Sequence, residues 1–228
     1  IIFYDGFEQG DNDWTLSGDW GLTEDAQTGI YALTDSPEGD YQEAQTTIAE
    51  MNFDLDLSLI AIPKITFQAK WDIEPNYDFV RIQVNTIEEG WISLVGNYTS
   101  PGTGQTAQPF GEPGYDGFQE SWAEETILLD QIGNVQITSL RFIQTSDNFV
   151  EGDGFVFDDF TITGFPNGMM GDFNLDSYVD IFDLLGIADV LIFGEDPSNS
   201  QLFLCDLDGS GTLDIMDMIL LSNMIMGF

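Results

Sequence analysis

Two segments near the C-terminal end, Asp172–Asp183 and Asp206–Asp217, repeat one pattern at an offset of 34 residues, and nothing else in the chain limits its fold so tightly. In the first, Asp172, Asn174, Asp176, Asp180 and Asp183 occupy loop positions 1, 3, 5, 9 and 12. In the second, Asp206, Asp208, Ser210, Asp214 and Asp217 occupy the same places. Alternate residues of a tight loop turn their oxygens inward, and calcium takes roughly six to eight oxygens in a flexible geometry. Position 7, Tyr178 or Thr212, offers a backbone carbonyl. Position 12 falls in the first turn of a following helix, where the dipole favours a carboxylate. Apolar residues then recur at helical spacing: Phe182, Leu185 and Val190 after the first loop, Met216, Ile219, Leu220 and Met224 after the second. This spacing predicts helices over about 181–193 and 215–226. Val179 and Leu213, at position 8, are placed to join the loops through a short apolar contact. An Asp/Asn-rich turn capping a helix explains one such segment, but not two in register. The implied module spans 172–228 and holds two calcium ions.

The chain carries 41 acidic side chains against four cations, Lys64, Lys70, Arg81 and Arg141, for a formal charge of −37. Nucleic-acid binding needs a basic footprint to displace counterions, so that class is excluded. Anionic membrane surfaces are disfavoured for the same reason. No stretch is apolar over the ~20 residues that a membrane-spanning helix needs, so no membrane insertion is expected. Histidine is absent, which removes His-based triads and most zinc sites. The single cysteine, Cys205, follows Leu202, Phe203 and Leu204 and reads as a buried packing residue that forms no internal disulfide. An N-terminal Ile1 suggests a processed, secreted chain. An extracellular location, secreted or cell-surface, with stability drawn from metal instead of disulfides, is the expectation.

Residues 1–164 read differently. Short apolar or alternating runs, Ile1–Tyr4, Ile65–Ala69, Phe79–Thr86, Trp91–Val95, Glu125–Leu129, Ser139–Gln144 and Phe155–Ile162, stand between Gly-, Pro-, Asn- and Asp-rich separators. Many short strands without intervening helices predict a mainly β chain, a jelly-roll sandwich with a small C-terminal α module. Residues 165–171, opening on Phe165-Pro166-Asn167-Gly168, are the expected linker.

The C-terminal module resembles dockerin type I repeats, in Gly171-Asp172-Phe173-Asn174-Leu175-Asp176 and Asp206-Leu207-Asp208-Gly209-Ser210-Gly211. The resemblance implies EF-hand-like calcium loops in a non-catalytic module that docks a secreted protein on a cohesin-like scaffold. Ser177 stands where glycine is usual. Ile181, Phe182, Ile215 and Met216 occupy positions that are polar in many dockerins. These departures point to an apolar docking surface, toward the β domain or another copy. The N-terminal part resembles MAM and immune-inhibitor-A-like extracellular jelly rolls. It does so in Phe3-Tyr4-Asp5-Gly6-Phe7-Glu8, Gly18-Asp19-Trp20, Gly29–Pro37, Phe67-Gln68-Ala69-Lys70-Trp71 and Asp153–Phe160. This likeness implies an adhesion or ligand-binding role. It also implies one more cation, with Glu8, Asp35, Asp158 and Asp159 as candidate ligands.

Trp71, Tyr77, Trp91, Tyr98, Tyr115 and Trp122 can supply a sugar-stacking platform or, more commonly in a sandwich, core and rim. Asn97-Tyr98-Thr99 is an N-glycosylation sequon at Asn97. Glu38-Gly39-Asp40-Tyr41-Gln42-Glu43 spells the E-x-D-x-x-E string of some jelly-roll glycosidases, but Pro37 and Gly39 favour a turn over the required strand. The expected protein is therefore a non-catalytic, calcium-binding adhesion or structural subunit of an extracellular fibre, associating head to tail with itself. The alternative is an accessory carbohydrate- or scaffold-binding module of a secreted hydrolase.

Overall fold

From Pro63 to Ile73 the chain buries every second side chain, the two-residue period of a strand in a sheet with one wet face. In the computed structural model the described residues are 1–57, 60–166, 168–194 and 196–227. Their contacts divide the chain into Ile1–Ser58 with Ile62–Gly164, and Phe165–Phe228 with Leu59–Ala61.

The strands, which lie in the first unit except for the first two residues of β6 and the last two of β13, are β1 (Phe3–Asp5), β2 (Thr15–Ser17), β3 (Gly21–Thr23), β4 (Ala32–Thr34), β5 (Thr46–Asp56), β6 (Ile60–Ile73), β7 (Phe79–Thr86) and β8 (Gly90–Ser93). The short strands β9 (Ser100–Pro101) and β10 (Pro113–Gly114) follow, then β11 (Gly117–Leu128), β12 (Gln136–Thr145) and β13 (Gly154–Pro166). One sheet runs β11-β6-β13-β4-β3, with β1 added on β13; the other runs β2-β5-β12-β7-β8. Pairings are antiparallel, with Phe142 opposite Ala49 and Ile82 in the second sheet. Inward residues of the two sheets meet in an aromatic core. Phe142 stacks on Phe157 with centroids 4.1 Å apart, and Phe67 meets Phe142 edge-on at 5.4 Å. This is the jelly-roll β-sandwich that the sequence predicts. β13 extends to Pro166, so the strand takes the first two residues of the expected linker. Asn167 lies outside the described residues.

In the second unit α1 (Ile181–Phe193) and α3 (Ile215–Met226) occupy the predicted ranges. Both end on a glycine in the left-handed region, Gly194 at φ 68° and Gly227 at φ 76°, where a Cβ would be strained. A third helix, α2 (Asn199–Cys205), has no counterpart in the sequence reading. Phe173, Ile187, Leu204, Cys205, Leu213 and Leu221 form the core, with Val179 and Leu184 against it. Among the described residues no helix is long and apolar enough to cross a membrane.

Candidate functional site

The two loops adopt one hydrogen-bond pattern, residue for residue. At position 1, the Asp172 carboxylate accepts from the backbone N–H of Asp176 (3.1 Å) and Ser177 (2.9 Å), and Asp206 accepts from Ser210 (2.9 Å) and Gly211 (2.8 Å). At position 3, Asn174 Oδ1 and Asp208 Oδ1 each accept from the amide two residues on, both at 2.9 Å. At position 12, Asp183 Oδ1 accepts from Phe173 and Asn174, and its Oδ2 from Asp180; Asp217 repeats this with Leu207, Asp208 and Asp214. At position 9, Asp180 and Asp214 cap α1 and α3 through the amides of Phe182 and Met216. The remaining predicted ligands also line the loops. Asp176 accepts from the Tyr178 amide, and Ser210 donates to the Thr212 carbonyl at 3.0 Å.

Asp183 and Asp217 are fully buried, yet their neighbours within these loops are acids and amides, not cations. A buried carboxylate without a countercharge is costly, so these two mark where positive charge is wanted. Oxygens of Asp206, Asp208 and Asp217 lie within 4.8 Å of one another. The acids of the first loop are not so gathered, since Asn174 replaces the position-3 acid. The donor set, carboxylate, amide, hydroxyl and carbonyl oxygen, suits calcium.

The predicted jelly-roll ligands are only partly brought together. Glu8 Oε1 accepts from the amides of Ile30 (2.7 Å) and Tyr31 (2.9 Å), which hold its pKa down. Asp158, fully buried, accepts from Gln27 and Thr28, both at 2.9 Å. Asp159 takes hydrogen bonds from the hydroxyls of Tyr4 (2.7 Å) and Thr28 (3.0 Å). These three clasp the segment before β4. Asp35 sits apart: its Oδ1 accepts from Phe155 N and the Ser36 hydroxyl, and its Oδ2 is buried without a hydrogen-bond partner among the described residues. The acids that do converge within 4.8 Å in this unit are Glu74, Asp78 and Asp147, which the sequence reading missed. They come from distant segments, so spacing gives no signal. Tyr41 donates to Asp78 at 2.8 Å, and the Asp147 amide to its other oxygen at 2.6 Å.

Glu38, Asp40 and Glu43 lie exposed in turns, with Gly39 at φ 131°, and share no strand face. The aromatics do not line up. Trp71 and Tyr115 are buried against Phe155, Tyr77 and Tyr98 are exposed, and Trp91 and Trp122 belong to opposite sheets. Each of the last two lies beneath a cation, Arg141 at 3.9 Å from the Trp91 centroid and Lys70 at 5.3 Å from that of Trp122. Asn97 is exposed. So are Ile181, Phe182, Ile215 and Met216, between 50% and 70% of their surface.

No known family and no curated protein matches the sequence. Among solved structures, the chain is similar to the module TmCBM61 solved with β-1,4-galactotriose, at 16% identity and a TM-score of 0.42, covering 70% of this chain and 94% of that one. It is also similar to the CBM22-1 xylan-binding domain of Xyn10C from Paenibacillus barcinonensis, at 15% identity and a TM-score of 0.42, covering 72% and 94%. The K3 cleaved adhesin domain of Lys-gingipain from Porphyromonas gingivalis matches at 15% identity and a TM-score of 0.43, covering 71% and 98%.

Proposed function

We propose that this chain is a non-catalytic extracellular accessory protein. Its C-terminal unit is a calcium-folded, dockerin-like docking module, and its jelly roll is the binding module so carried, with glycans as the ligand class. The observation that carries this is the matched network of the two loops, centred on buried Asp183 and Asp217. Each loop presents its oxygens already oriented by backbone amides, so a bound ion replaces repulsion among acids with coordination. A ligand at ~1,000 times its dissociation constant stabilises the native state by ~4 kcal/mol. Calorimetry and circular dichroism with calcium or excess chelator test it. Chelation should lower the melting temperature, and Asp172→Ala and Asp206→Ala should each imitate part of that loss. Unchanged melting and dichroism in chelator would remove the basis for the module.

A second role, self-association into a fibre, is favoured by the exposed Ile181, Phe182, Ile215 and Met216. A contact between two different surfaces of one subunit propagates as an open filament unless its rotation closes a ring. Light scattering at millimolar calcium should show polymers that Phe182→Asp and Met216→Asp dissolve. A monodisperse monomer at high concentration leaves the accessory role alone.

A further inference from the structure

With 41 acids and four cations, every cation of this chain has a surplus of carboxylates to choose from. Among the described residues Arg81 and Arg141 nevertheless form no ion pair, whereas Lys70 pairs with Asp25. The two arginines share one surface. Arg141 on β12 lies opposite Gln83 on β7, and Ile143, two residues on, lies opposite Arg81. Side chains of this set point away from the core, since the alternate set holds Leu140, Phe142 and Ile82. Two like charges are thus neighbours on the outer face of the five-stranded sheet.

Arg81 donates no side-chain hydrogen bond to any described residue, and its Nε is sealed from solvent without an acceptor. Arg141 donates one, from Nε to Gln83 Oε1 at 2.8 Å, and its guanidinium lies 3.9 Å above the Trp91 ring. Gln83 in turn donates to the Ser93 hydroxyl at 2.9 Å. Burial lowers the pKa of both guanidiniums; Glu112 opposes this at Arg81, and at Arg141 Glu50 opposes it while the charge of Arg81 adds to it. A half-buried pair of guanidiniums, one of them held by Gln83 and Trp91, with terminal donors that no described residue takes up, is a fork for an oxygen anion. Gln83 is buried and spent on Arg141 and Ser93, so the groups left beside the pair for a sugar are the Ser93 hydroxyl and the uncovered rim of the Trp91 indole.

We infer that this face binds a saccharide bearing an oxyanion, a carboxylate or a sulfate, seated on Arg81 and Arg141. The saccharide part rests on the glycan-binding role proposed above. The overall negative charge does not forbid it, because charges farther away than ~8 Å are largely screened at physiological salt. The acids such an anion would face at close range are Glu50, opposite Arg141 on β5, and Glu112, whose charge acts on Arg81.

Titration calorimetry of the full chain at fixed millimolar calcium tests this, with trigalacturonate, a sulfated trisaccharide and neutral galactotriose as probes. At least one charged sugar should bind roughly tenfold or more tighter than the neutral one, and weaken as sodium chloride rises. The first two probes separate a carboxylate from a sulfate site. Arg81→Gln and Arg141→Gln should each lose roughly tenfold at an unchanged melting temperature, and Arg81→Lys should retain part of the affinity. Lys64→Gln, on the other sheet, should change nothing. If the neutral sugar binds as well and the arginine variants bind undiminished, the oxyanion site is wrong while glycan binding stands. If none of the three sugars binds, the site and the glycan role both fail, and the calcium-folded docking role remains.

Discussion

Cys205 has no exposed surface, and burial among Asp172, Asp183 and Asp217 pushes its thiol up to about 12. The thiolate is the nucleophile, so native protein should resist alkylation at neutral pH and react once chelator loosens the loops. Equal labelling rates with and without calcium would contradict this. Asp35 supplies a second test. It is 2% exposed, and burial raises its pKa to about 7, against hydrogen bonds from Phe155 and Ser36 that lower it. The folded value lies above the unfolded one, so the unfolded chain holds fewer protons between about pH 4 and 7. Stability from the protonated form is complete below the lower value and is lost as pH rises through about 7. Asp35→Asn should therefore stabilise the protein above pH 7, by on the order of 1–4 kcal/mol at ~1.4 kcal/mol per pKa unit. If Asp35 instead holds a cation, the same substitution destabilises, and denaturation at pH 8 tells the two apart. Features set by local spacing, such as the place of Asp183 in the first turn of a helix and the burial of Cys205, were legible in the sequence. Arg81 and Arg141 were not, because only the β7–β12 register makes them neighbours.

At the scale of elements, α1 and α3 were legible to the residue because their caps are also loop residues. Asp180 and Asp214 begin the helices, Asp183 and Asp217 complete the capping boxes, and glycines end them. α2 escaped because seven residues are too few to show a period, although Ser198 and Gln201 form a capping box. β5 escaped because Glu50 and Asp56 on its wet face obscure the alternation of Thr47, Ala49, Met51 and Leu55. The expected helical stripes marked exposed positions, Phe182 and Leu185 among them, while the core side is Leu184, Ile187 and Leu221. Both helices are apolar on more than one face, so periodicity alone did not choose. The double duty of position 12 carries a prediction. Asp217→Ala removes the acceptor for three amides and the capping box of α3, and should cost roughly 3 kcal/mol or more with loss of helical dichroism. Asp217→Asn, which keeps one acceptor oxygen, should lose less. A cost below about 1 kcal/mol for the alanine variant would mean that the helix does not depend on the loop.

For the whole molecule, the contacts divide between Gly164 and Phe165, where the sequence pattern also switches, but the strand order was not legible: β1 pairs with β13 from the far end of the unit. The charge of −37 acts at this scale too. With so few cations, most acids repel one another, and the compact state bears that repulsion more than the unfolded chain. Sodium chloride should therefore raise the melting temperature of chelated protein, since the screening length shrinks from ~30 Å at 0.01 M to ~10 Å at 0.1 M. Screening alone does not distinguish cations of equal charge; the loops should. Magnesium demands near-octahedral geometry and gives up its waters reluctantly, whereas calcium accepts the irregular oxygen set of these loops. At matched ionic strength calcium should raise the melting temperature well above the magnesium value. The excess should vanish in the Asp172→Ala, Asp206→Ala double variant, with the sodium response intact. Equal stabilisation by the two ions would assign the whole effect to screening and leave Asp183 and Asp217 as helix caps alone.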